Sequence, residues 1–173
     1  MSVLSFSRVA GVAVALAVPL SAGCSSGDGA APVSQAAAVA ISDQWIKAAD
    51  QGMSAAFGEI ANASDAEARI VDATSPASAR MEIHETVGLD GQKMMRPKAG
   101  GLVVPAHGKV ALAPGADHLM FMDLTGPLRT GAEVPVTVKF ADGSSTTFTA
   151  RVRDFPGNKE NYVPDASPAG HGG

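Results

Sequence analysis

HLMFMD, residues 118–123, alternates strictly: Leu119, Phe121 and Asp123 fall on one side of an extended chain and His118, Met120 and Met122 on the other. MEIHET, residues 81–86, repeats the pattern, with Met81, Ile83 and Glu85 set against Glu82, His84 and Thr86. Period two means strand, so these two stretches set the fold class. Working outward, Ala55–Ala61, Ala68–Ala73, Leu102–Pro105, Val110–Ala113, Val134–Phe140 and Thr146–Val152 are further short runs. Turn dipeptides such as Asp90-Gly91, Gly100-Gly101, His107-Gly108, Pro114-Gly115, Gly126-Pro127 and Asp142-Gly143 separate many of them. About eight strands at this spacing predict an all-β domain, a sandwich or barrel. The one helical candidate is Ala48–Ala56, weakened by Gly52.

The chain has 173 residues, of which 46% are hydrophobic and only 5% aromatic. That length suits one domain with tails. A formal charge of −4 argues against a nucleic-acid binder, which would carry a basic patch or stripe. A single cysteine excludes an internal disulfide, a CxxC redox pair and a cysteine-rich zinc site. Residues 1–23 hold one charge, Arg8, and then an apolar run from Val9 to Ala22, too short for the ~20 residues of a spanning helix. Pro19, Ser21, Ala22 and Gly23 close that run as a secretory cleavage region does. Ser21-Ala22-Gly23-Cys24 resembles a bacterial lipobox, with Leu20 one place further back than the usual leucine. The reading is a signal peptide over 1–23, then Cys24, lipidated, and a flexible tether over 24–39. The protein is thus expected outside the cytoplasm, anchored to the outer face of the cell membrane, or else secreted or periplasmic without an anchor. The Pro- and Gly-rich stretch 156–173 reads as a flexible tail, leaving 40–155 as the folded domain.

No phosphate-cradling loop, dinucleotide fingerprint, nucleophile elbow or HExxH occurs, so nothing speaks for an enzyme. What stands out is clustering. Met81, Met94, Met95, Met120 and Met122 lie between residues 81 and 122, together with His84, His107 and His118. Methionines fill irregular cores, and that reading suits Met81 and Met94. If Asp90-Gly91 is a two-residue hairpin turn, Met95 opposes Thr86 on the face of His84, whereas Met94 opposes Val87 on the face of Met81 and Ile83. A thioether and an imidazole on each of two segments could then close around one soft ion. His107 reads as a loop histidine, His171 as an idle terminal one, and Trp45 and Tyr162 as packing residues.

Such a donor set is selective. Neutral thioether sulfur suits Cu(I) and rejects Mg, Ca and Mn, while imidazole also accepts copper. Outside the cytoplasm thiolates tend to become disulfides, which methionine cannot form. A blue-copper site is disfavoured, because it needs a cysteine in the domain.

At this point the sequence resembles the PCuAC-type periplasmic copper chaperones, whose hallmark is a histidine, ten residues, a methionine, about 21 or 22 residues, then His-x-Met. Here that reads His84, residues 85–94, Met95, residues 96–117, His118, Leu119, Met120. MMRP at 94–97, GGLVVPAHGKVALAPG at 100–115 and HLMFMDLTGPLRTGAEVPVTVKFADG at 118–143 are similar to the family as well. Many members place another methionine shortly after the first histidine, where this chain has Val87-Gly88-Leu89. The resemblance, over roughly 43–153, implies a cupredoxin-like β-sandwich or barrel binding Cu(I) at an open, exposed site through His84, Met95, His118 and Met120. It also implies delivery to a recipient such as the dinuclear copper centre of cytochrome c oxidase, sometimes with a Sco-type thiol chaperone. Two alternatives remain: a metal-free β-sandwich interaction or adhesion lipoprotein with core methionines, and a copper-buffering protein that delivers to no enzyme.

Overall fold

Wherever the sequence alternates, it forms strand. A computed structural model describes residues 33–89, 92–157 and 161–162. Its elements are α1 (Gln35–Ala38), β1 (Val39–Lys47), β2 (Ser54–Asn62), β3 (Ala68–Thr74), β4 (Ser78–Leu89), β5 (Gln92–Pro97), β6 (Leu102–Val104), β7 (Lys109–Leu112), β8 (His118–Leu124), β9 (Glu133–Phe140), β10 (Ser145–Arg153) and β11 (Asn161–Tyr162). The expected signal segment, Cys24, the Asp90-Gly91 turn and His171 lie outside the described residues.

The strands follow one path, β11-β5-β4-β8-β2-β1-β10-β9-β3-β6, with β7 also on β2. Neighbours are antiparallel except β1 with β10 and β11 with β5. The path doubles back so that β3 packs against β4, and the inner faces of the two layers enclose one core. β9 shows the rule most cleanly: Val134, Val136, Val138 and Phe140 are buried and alternate with polar or exposed positions. Ile46, Ile60, Ile70, Leu102, Leu119 and Phe121 fill the same core from the other strands. Met81 belongs to it, as its strand parity predicts.

Three local differences from the sequence expectation have physical causes. No helix forms over Ala48–Ala56: Gly52 takes φ 77°, the chain turns, and strand resumes at Ser54. The helix lies instead at α1, inside the stretch read as tether, where the Ser34 hydroxyl caps it by accepting from the Ala37 N–H at 3.3 Å. The strand β1 escapes the period-two reading because its register on β2 shifts between Ser42 and Trp45, with Asp43 at φ 53°. That bulge needs Gly58 opposite, since a Cβ there would sit 2.9 Å from the Ser42 carbonyl oxygen.

The end of β2 is held by a buried amide. Asn62 Nδ2 donates to the carbonyls of Ala66 and Val104 at 2.8 and 3.2 Å. Its Oδ1 accepts from the Ser64 N–H at 3.0 Å. The hairpin β9–β10 turns at Asp142-Gly143 as expected, with Gly143 at φ 84°. Within the stretch read as a tail, Asn161 and Tyr162 pair with Met94 and Met95 of β5. For those two residues the tail reading is corrected: they belong to the sheet.

Candidate functional site

The β4–β5 register is the one a two-residue turn dictates: His84↔Pro97, Glu85↔Arg96, Thr86↔Met95 and Val87↔Met94. On the other edge of β4 the antiparallel register with β8 sets His84 opposite His118, Glu82 opposite Met120 and Arg80 opposite Met122. Directly opposed Cβ atoms are about 4.5–5.5 Å apart, so a single ladder brings the two imidazoles together across 34 residues of chain. Their ring centroids lie 5.6 Å apart, with planes inclined at 66°.

Met95, Met120 and Met122 join Ala55 and Phe57 in a second buried cluster on the face of the sheet opposite the main core. Strand β8 is therefore buried on both faces. Trp45 and Tyr162 pack on this second cluster. Phe57 stands 4.5 Å from the Trp45 ring and 6.2 Å from the His118 ring. Trp45 is wedged in turn by Phe155, edge-on at 5.3 Å, and by the Arg153 guanidinium at 5.9 Å. Tyr162 lies parallel to His84, with centroids 5.3 Å apart and planes at 8°.

The four residues named from the sequence thus share one face of the sheet, but it is not an open patch. His84 and His118 are 0% exposed, and Met95 and Met120 are 3% exposed. This corrects the expectation of a solvated site. Aromatic rings from β1, β2 and β11 cover a face that strand alternation alone leaves undecided.

Each imidazole is fixed by a bond through one nitrogen. His118 Nδ1 donates to the Ala116 carbonyl at 2.9 Å, which places the lone pair of the neutral ring on Nε2. His84 Nε2 contacts Glu82 Oε2 at 2.7 Å, so a neutral His84 that donates to this carboxylate carries its lone pair on Nδ1. Glu82 also accepts from the Tyr162 hydroxyl at 3.4 Å and pairs with Arg80. Beside the site, Glu85 accepts from Arg96 Nε at 2.8 Å and from Lys98 at 3.4 Å, and Lys98 reaches Asp117 at 3.1 Å. The Arg96 hydrogen bond holds the Glu85 carboxyl below its ordinary range against some desolvation. Desolvation pulls Lys98 down, but Asp117 and Glu85 outweigh it and raise the ammonium. This chain of charges ties β4, β5 and the start of β8 together.

Met81 faces the main core and not this cluster. His107 sits in its turn at φ 50°, exposed and bonded to Asp65 at 2.7 Å. Sequence reasoning missed Glu82, Phe57 and the covering position of Trp45 and Tyr162. Only Glu82 carried a signal, since it shares the period-two face of His84.

Fold and cluster together define a cupredoxin-like β-sandwich with a buried histidine–methionine centre. Residues 39–152 match the family described as "Putative lipoprotein LpqE-like", and the chain belongs to that family. It is 42% identical over 131 residues to a protein of Leifsonia xyli subsp. xyli named "Putative lipoprotein Lxx21020", spanning 76% of this chain and 79% of the relative. Among solved structures it is similar to the copper-bound PCuAC domain of PmoF2, with a TM-score of 0.57 and 18% identity over 68% of this chain and 93% of that domain. It is similar also to the Cu(I) form of DR1885 from Deinococcus radiodurans, with a TM-score of 0.54 and 26% identity over 76% and 91% of the two chains.

Proposed function

We propose that this protein is a non-enzymatic extracytoplasmic copper chaperone that holds Cu(I) between His84, Met95, His118 and Met120 and passes it to a recipient protein. The observation that supports the reading is that β4 and β8 set His84 directly opposite His118, while Met95 and Met120 lie buried on the same strand faces. Such a set is soft and neutral, and it matches a monovalent copper ion better than any hard cation. Copper is cargo here, so the donors have to release it as well as bind it. The likeness to copper-bound PmoF2 and to Cu(I)-DR1885 supports the same reading. The recipient is the dinuclear copper centre of cytochrome c oxidase or a Sco-type thiol chaperone. The family's description as lipoproteins supports an anchor at Cys24, which would hold the domain at the outer face of the membrane.

X-ray absorption at the copper edge of the loaded protein tests the donor set. Two nitrogen and two sulfur neighbours are expected, and an all-oxygen or all-nitrogen shell would refute it. One observation favours a second reading. Met95, Met120 and Met122 are as buried as ordinary core thioethers, as a metal-free interaction lipoprotein would require. Titration with Cu(I) against a competing chelator separates the two, because the metal-free module would show no stoichiometric binding.

A further inference from the structure

The two histidines are wholly buried, so neither an incoming ion nor a recipient's ligand reaches them unless part of the wall moves. The walls differ in how firmly they are held. Strands β4, β8 and β2 pair on both edges. Trp45 is gripped by Phe57, Phe155 and Arg153. Strand β11 stands at the end of the sheet, where, among the described residues, Asn161 pairs with Met94 and Tyr162 with Met95. Elements at a sheet edge open at lower free energy than the strands between them. The half-buried Tyr162 ring rests flat on His84, and its hydroxyl reaches Glu82 at 3.4 Å, near the long end of hydrogen bonding. This one residue thus lies against His84 through its ring and beside Met95 through its strand pairing, packed on the methionine cluster.

We propose that Tyr162 is the gate of the histidine–methionine site: its ring shields His84 and Met95, and it must swing off them before cargo is exchanged with a partner protein. The gate rests on the copper reading above for what passes through it, but the shielding can be measured without copper.

Two measurements on the full chain test it. In the metal-free protein, diethyl pyrocarbonate modification of each histidine is timed by peptide mass spectrometry, with exposed His107 as the internal reference. His84 should react at least tenfold more slowly than His107 in the wild type and at least tenfold faster than that in Tyr162→Ala. Tyr162→Phe, which keeps the ring, should stay within threefold of wild type and guards against a general loosening caused by the alanine change. In the Cu(I)-loaded protein, capture of the ion by excess bathocuproine disulfonate should speed up at least tenfold in Tyr162→Ala, with equilibrium affinity changed less than threefold. Unaltered His84 reactivity in Tyr162→Ala overturns the gate, and so does a phenylalanine variant that behaves like alanine. Faster modification with unchanged copper capture also overturns it, leaving a cover that does not limit exchange. Failure of the wild type to bind Cu(I) at all sinks the copper reading and the gate with it. The metal-free arm would then show separately that the ring still shields His84.

Discussion

Strand β8 separates two interiors of the same molecule. Leu119 and Phe121 face one, His118, Met120 and Met122 the other, and all five side chains are buried. The first interior is built from valine, isoleucine, leucine and phenylalanine drawn from almost every strand. The second contains three thioethers and two imidazoles under a few aromatic rings. Burying polar donors costs free energy that an apolar side chain would not. Equal burial therefore does not mean equal composition: one side is purely cohesive, and the other mixes imidazoles and thioethers with its apolar packing.

If that contrast is right, substitutions on the two faces of one strand should register in different experiments. The largest effect belongs to the cohesive face. Phe121→Ala leaves a cavity among stiff neighbours and should cost about 3–5 kcal/mol in denaturant unfolding. Next comes His118→Ala, which should weaken Cu(I) binding at least tenfold, or about 1.4 kcal/mol by chelator competition, while the domain still folds, with a smaller stability loss than Phe121→Ala. A variant that fails to fold would instead assign that imidazole to architecture.

Met120→Leu sharpens the contrast further. It nearly conserves volume, so stability should change by less than about 1.5 kcal/mol, yet the soft donor is gone and Cu(I) affinity should fall about tenfold. Met122→Leu is the control, expected to alter neither; a loss equal to that of Met120→Leu would add a third thioether to the donor set.

The smallest effect lies far from both interiors. The Asp142 carboxyl accepts from the Ser144 hydroxyl at 2.6 Å and from the Gln35 N–H at 2.8 Å. Led by the Ser144 bond, these contacts hold its pKa below the ordinary value. A lowered folded-state pKa stabilises the protein above the unfolded value of about 3.9 and loses that benefit as pH falls through the folded one. The small difference in thermal midpoint between wild type and Asp142→Asn should therefore be present at pH 7 and vanish well below pH 4.

Much of this was legible in the sequence because it follows from period two. Alternation in 81–86 and 118–123 gave the strand faces, and the Asp90-Gly91 spacing gave a register that puts Met95 beside Thr86. The pairing of His84 with His118 rests on the long-range ladder between β4 and β8, and only the family resemblance anticipated it. The bulged β1 was hidden because its register shift breaks the alternation on which strand reading depends. The burial of the site was hidden for a different reason: Trp45, Phe57 and Tyr162 come from distant parts of the chain, and no local pattern tells an aromatic side chain which surface to cover.

Trp45 is the only indole in the chain, and it touches Phe57, which in turn faces His118. The molecule thereby carries a built-in optical reporter one ring removed from its centre. An ion arriving there should alter the emission of a single, unambiguous fluorophore, so occupancy can be followed in real time with no label attached.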